Sequence, residues 1–268
     1  MRGLGIIGVG AMGGALARRL TAWEKISPEA IILADKREEH VERLAQELGA
    51  RRAGIPELAA MCDTVIIAVK PHQVLEVLSE LKAELTPEHL LISVAAGVSL
   101  KALAQGTRES QPVVRAMPNT PCLVGQGAVV LSPNAHVSQG QLDTAVEIFQ
   151  QTGKVWVLPE AQMDAVTGLS GSGPAYVYLF LEALIDGGVA AGLSHGDARG
   201  LAIQTVLGAV EMAAQSGQHP AVLKNMVTSP AGTTAAGLRK LESSGIRGAL
   251  IEAVLAAAAR SKEIQREQ

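Results

Sequence analysis

The stretch LGIIGVGAMG, residues 4–13, narrows most sharply what this chain can fold into. A short run of aliphatic residues stops at a GxGxxG and passes at once into helical spacing. In that setting Gly8 makes the tight turn after a strand, Gly10 lets the backbone approach a pyrophosphate, and Gly13 lets the helix pack close on the strand. The hexapeptide alone is weak evidence, so its weight comes from the segments C-terminal to it. Strand-like runs at 30–34, 64–69 and 90–95 alternate with helical spacing at 13–23, 37–48 and 73–85. Unbroken Val/Ile runs such as TVIIAV suit strands covered on both faces, the mark of a parallel sheet flanked by helices. Shorter strand candidates at 112–115, 127–131 and 154–158 carry the sheet to about residue 158. Residues 1–159 therefore read as a doubly wound, Rossmann-type α/β domain. Its dinucleotide would lie on Gly8, Val9, Gly10, Ala11, Met12 and Gly13.

After Pro159 the texture changes, with no strand-like run and helical periods to the end of the chain. Residues 160–268 read as an all-α domain of four or five helices. Aromatic residues make up 2% of the chain against 48% hydrophobic overall, so the packing rests on Ala, Val, Leu and Ile. Segments such as LIEAVLAAAAR at 250–260 are apolar on more than one face, which asks for more burial than one small bundle supplies. Interleaving with a second copy would supply it. The formal charge of −3, with no Lys/Arg run beyond a pair, argues against nucleic acid or an acidic membrane as partner. The longest apolar segment, 175–193, is broken by Glu182 and Asp186 and reads as a buried helix, not a membrane span. No secretion signal precedes the first strand, so a cytoplasmic location is expected. Cys62 and Cys122 show no CxxC spacing and the six His are scattered, so no metal is expected.

Six further segments fall where chemistry is expected. Asp35 follows the second strand, 22 residues after Gly13, where an acid bonds an adenosine ribose, yet Lys36 and Arg37 suit a 2′-phosphate. That conflict leans to NADPH and leaves NADH possible, the plain alternative being a solvated helix start. Ala68, Val69 and Lys70 of AVKP close the next long strand, and Ala96 within VAAGV closes the one after, at the sheet edge where ligands bind. RAMPNTP at 115–121 is an Asn-Thr-Pro loop, and TGLSGSGPAY at 167–176 reads as a tight turn between two helices. VTSPAGTT at 227–234 sets Ser229, Thr233 and Thr234 around a helix start, whose free N–H groups suit an anion or merely a good cap.

Taken in order, GVGAMG, AVKP, VAAGV, RAMPNTP, DAVTGLSGSGPAYVYLFLEAL and VTSPAGTT resemble the pyrroline-5-carboxylate reductase family over nearly the whole chain. The resemblance implies reduction of a cyclic imino acid, 1-pyrroline-5-carboxylate, to L-proline by hydride transfer from NAD(P)H, the last step of proline biosynthesis. It implies that Ser229, Gly232, Thr233 and Thr234 bind the substrate, that Thr234 reaches the ring nitrogen as the catalytic hydroxyl, and that Glu160 lies by the pocket. It also implies a homodimer through interlocked C-terminal helices, and some members build rings of dimers such as a homodecamer, which leaves dimer and ring both open here. The family usually carries two glycines after the Ser-Pro, where this chain has Ala231 and Gly232. A left-handed alanine is costly, so an ordinary negative φ is expected at Ala231, with Gly232 as the flexible residue.

Overall fold

The computed structural model describes residues 2–267 and falls into two compact units. One runs to Ser172 and includes the chain from Ala256 onward; the other is Gly173–Leu255. The first unit is built on an eight-stranded sheet: β1 (Leu4–Ile7), β2 (Ile31–Ala34), β3 (Arg51–Arg52), β4 (Thr64–Ile67), β5 (Leu90–Ser93), β6 (Val113–Met117), β7 (Gly127–Pro133) and β8 (Gly153–Val157). Its strand order is β3-β2-β1-β4-β5-β6-β7-β8, so the winding reverses between β1 and β4. Every residue of β1, β2, β4 and β5 is buried, which is why these strands read as continuous aliphatic runs.

Helices cover both faces. On one, α1 (Ala11–Thr21), α2 (Glu38–Leu48) and α6 (Gln139–Gln150) pack Leu16, Leu20, Leu44, Ile148 and Phe149 against Leu4, Ile6 and Ile66. On the other, α3 (Ile55–Met61), α4 (Val74–Leu81) and α5 (Leu100–Gln105) pack Leu58, Leu78, Leu81 and Leu103 against Ile7, Val65 and Ile67. The pairing is parallel except between β6 and β7. The link between those two, residues 118–126, is shorter than the dozen or so residues a parallel crossover takes, so β7 turns back. Strands β4 and β5 stop two residues earlier than their apolar runs, because 68–70 and 94–98 turn away across the sheet edge.

Beyond β8 the chain is helical. Short α7 (Met163–Val166) runs into a π-helical turn, Thr167–Gly171, marked by Ser172 N donating to Thr167 O at 2.8 Å. TGLSG is thus wound as a wide helical turn and not as the tight inter-helix turn its glycines suggest. Thr167 Oγ1 donates to Met163 O and Ser170 Oγ to Val166 O, so the hydroxyls take up helix carbonyls within the distortion. The second unit holds α8 (Gly173–Ala190), α9 (His195–Ser216), α10 (Pro220–Met226), α11 (Thr233–Ser243) and the first part of α12 (Ile246–Glu267). No helix among the described residues is long and apolar enough to cross a membrane.

Candidate active site

The reversal between β1 and β4 opens a crevice beyond the carboxyl ends of the strands, where open α/β sheets bind ligands. Gly8 leaves β1 at φ +92°, with its N–H on Ala34 O at 2.7 Å; a Cβ there would meet Ala68 O at 2.7 Å. Gly13 lies against the same turn, since a Cβ on it would fall 1.8 Å from Gly8 O. Gly10 differs, because nothing lies within 4 Å of where its Cβ would be. That open space borders the start of α1, which has no side-chain cap and no acid in its first turn. Unpaired N–H groups facing free space fit a pyrophosphate. Val9 is buried, Met12 half-buried against the core, and Ala11 exposed at the helix tip.

Asp35 sits one step beyond β2 and braces this loop. Its Oδ2 accepts from Val9 N at 2.9 Å, and its Oδ1 accepts from Arg37 N at 3.0 Å and from Arg37 Nε at 3.3 Å. Burial pushes the Asp35 carboxyl up, but hydrogen bonds from the Arg37 side chain and backbone and from Val9 outweigh it and hold it below the ordinary range. The Lys36 ammonium reaches Glu76 on α4 at 2.7 Å. Both cations are exposed, each paired with a carboxylate at the edge where an adenosine ribose would lie. Ala68 and Val69 are half-buried, with Ala68 N on Ile7 O at 2.7 Å, while Lys70 is exposed. Ala96 is exposed in the turn after β5, next to Gly97 at φ +77°. The residues expected to hold a dinucleotide thus gather at one sheet edge, on the ends of β1, β2, β4 and β5.

Glu160 belongs to the same unit. Its Oε1 accepts from Leu100 N at 2.6 Å and from Arg115 Nη1 at 3.2 Å. Arg115, 2% exposed within β6, had no assigned role in the sequence. A charged residue inside the apolar run PVVRAM was the available signal, since a buried guanidinium demands a partner. Asn119 was also missed: its Nδ2 donates to Ser170 O at 3.0 Å and its Oδ1 accepts from Ala128 N at 2.9 Å. One amide thereby joins the RAMPNTP loop to the π-helical turn.

In the second unit, Ser229 to Gly232 form a four-residue turn closed by Gly232 N donating to Ser229 O at 3.1 Å. The expectation for Ala231 is overturned: its φ is +56°, while Gly232 is at −78°. Pro230 fits the second position of either common turn type, and the left-handed residue after it makes this one type II, with Ala231 in the third position that glycine usually fills. Gly232 then caps α11 without a side chain, and no acid stands in the first turn. A Cβ on Gly232 would sit 2.2 Å from Ser229 Oγ, so the hydroxyl lies against the cap. With Gly232 N engaged in the turn, Thr233 and Thr234 present the free N–H groups of the helix start.

Residues 160–264 match the family model described as pyrroline-5-carboxylate reductase dimerisation, and residues 3–97 match NADP oxidoreductase coenzyme F420-dependent. The pyrroline-5-carboxylate reductase of Methanosarcina acetivorans is 44% identical over 97% of both chains. The chain belongs to the pyrroline-5-carboxylate reductase family. The Escherichia coli member is 37% identical over 98% of both chains. Among solved structures, the pyrroline-5-carboxylate reductase of Coxiella burnetii superposes with a TM-score of 0.92 at 36% identity, covering 98% of each chain. The Plasmodium falciparum pyrroline carboxylate reductase, solved with NADP bound, gives 0.87 at 36% identity over 98% of each.

Proposed function

We propose that this chain reduces 1-pyrroline-5-carboxylate to L-proline with NADPH, NADH serving less well, as the last step of proline biosynthesis. The observation that carries the reading is the presence, in one chain, of two bare helix starts of different kinds. One is the glycine cradle at α1; the other is the hydroxyl-flanked turn before α11. The first suits a pyrophosphate and the second a small carboxylate. We assign residues 1–159 to the dinucleotide and 160–268 to dimerisation and substrate.

Reduced nicotinamide, when bound, supplies the hydride that adds to the imine carbon. The residues of the chain then have to bind and orient. Thr233 and Thr234 N–H groups and the Ser229 hydroxyl hold the carboxylate, Gly232 keeps the approach free of a side chain, and the Thr234 hydroxyl meets the ring nitrogen. A protonated imine is already electrophilic, so positioning does most of the work and no strong base is needed. At the other end, Gly8 to Gly13 cradle the pyrophosphate, and Asp35, Lys36 and Arg37 face the ribose. Ala68 to Lys70 and Ala96 flank the nicotinamide half, and Glu160 stands beside it. The helical half forms a homodimer, with dimers assembled into a ring such as a decamer, in the cytoplasm.

Initial rates followed at the nicotinamide absorbance test the reading. NADPH consumption with the cyclic imine, faster than NADH consumption, is the expected result. Turnover of a hydroxy acid in its place, or tight NADPH binding without consumption across several cyclic imines, overturns it.

A further inference from the structure

The turn at 94–99 crosses the sheet edge beside Ala68–Lys70, because β5 pairs with β4. It contains the exposed Ala96 and the left-handed Gly97, and it ends on Ser99, which caps α5 by accepting from Ala102 N at 3.1 Å. Its far end is held from outside. Leu100 N, the first amide of α5, donates to Glu160 Oε1 at 2.6 Å, across 60 positions of sequence. The same oxygen accepts from Arg115 Nη1, whose side chain is 3% exposed. A carboxylate taking a backbone N–H makes a shorter and stronger bond than a neutral acceptor. A guanidinium locked inside β6 fixes where that carboxylate stands. Rigid strand, carboxylate and turn form one chain of contacts within the first unit.

We infer that Arg115 and Glu160 are positioning residues for the hydride donor, acting through the Leu100 N–H to fix the 94–99 turn against the nicotinamide end of the dinucleotide. The inference deepens the proposed function and rests on it for the direction of binding. It assigns Glu160 a role through the backbone, distinct from a direct bond to the imino acid. The adenosine end, held by Asp35 and the glycine cradle, is outside its reach.

Three variants and one control separate the possibilities. Glu160→Ala removes the acceptor and leaves Arg115 unpaired. Leu100→Pro removes the donor and keeps the Arg115–Glu160 pair, at a first helical position that tolerates proline after an extended Ser99 (ψ 157°). Because it also trims a side chain packed on the core, Leu100→Ala, which keeps the N–H, is its control and should bind NADPH as wild type does. Glu160→Gln keeps an acceptor oxygen. NADPH binding is read by nicotinamide fluorescence, and binding of 2′-phospho-ADP-ribose, which lacks the nicotinamide, by calorimetry. Glu160→Ala and Leu100→Pro are expected to weaken NADPH and lower kcat, each on the order of tenfold, as a lost charge-assisted hydrogen bond does. The nicotinamide-free analogue should bind as tightly as to wild type, and Glu160→Gln should recover most of the loss. Equal weakening of NADPH and the analogue, wild-type behaviour of Leu100→Pro, or a change confined to KM for the imine would overturn the inference. If wild type fails to turn over the imine at all, the proposed function falls, while the contrast between the two dinucleotide ligands still decides the role of Glu160.

Discussion

Ala231 stands at φ +56° in the turn that precedes α11, a conformation costing an L-residue roughly 1–2 kcal/mol. Ala231→Gly removes that cost but adds unfolded-chain freedom worth about 0.5–1 kcal/mol, so the strain term wins narrowly. The variant is expected to be more stable by about 0.5–1 kcal/mol in urea unfolding; a loss of stability would show that the turn tolerates alanine without strain. Thr234 is argued from the reaction. If its hydroxyl meets the ring nitrogen, Thr234→Ala lowers kcat/KM by a factor on the order of ten to a hundred, and unchanged kinetics in a folded variant would remove it from the mechanism. Asp35 adds a pH dependence. Its folded pKa lies below the ordinary value, so its contribution to stability is present at neutral pH and is lost as pH falls through the folded value. Denaturant midpoints should therefore decline on the acid side, and Asp35→Asn should flatten that decline; parallel curves would mean that the brace on Val9 carries no free energy.

Elements were legible where their periods were long and illegible where a single side chain decided the shape. The glycine cradle, β1, β4, β5 and the helical C-terminal half follow from aliphatic runs and spacing, because strands buried on both faces leave no other pattern. Strand β3 was missed since Arg51–Arg52 is only two residues long with no apolar signal, and α5 is too short to show a period. Ala231 was misread because the closed turn from Ser229 to Gly232 outranked the residue's own preference. The π-helical turn was hidden for a related reason: Asn119, whose amide donates to the Ser170 carbonyl within it, lies 51 positions away in sequence. Asn119→Ala leaves the Ser170 carbonyl and the Ala128 N–H without that amide, costing about 1–3 kcal/mol. The expected result is a lower urea midpoint, accompanied by faster amide exchange in 167–172. Exchange unchanged there would mean that TGLSG holds its π winding by itself.

At the scale of the whole molecule, the second unit cannot be the end of the folding problem. Between Gly173 and Leu255 only Ala198 and Ala202 count as buried hydrophobics, while Leu179 is 68% exposed, Val210 62%, Leu207 55% and Leu255 57%. Each leucine left in water forgoes roughly 1.5–3 kcal/mol of burial, and apolar surface exposed beyond scattered single residues marks an interaction site in soluble chains. Helices α8, α9 and α12 carry these exposed side chains, in a region matching a dimerisation family. A second copy is the partner that such self-similar Ala/Leu faces fit, since a two-fold interface sets the same patch against itself. Folding and association should then be one equilibrium, with Tm rising as protein concentration rises. Leu207→Glu places a charge on that face, so its sedimentation mass should fall to that of one chain and its Tm should drop. Activity should fall with the mass and return in part at high protein concentration. A Leu207→Glu protein that sediments as wild type, or a wild-type chain that stays single and stable at every concentration, would leave this apolar surface without the partner that its composition demands.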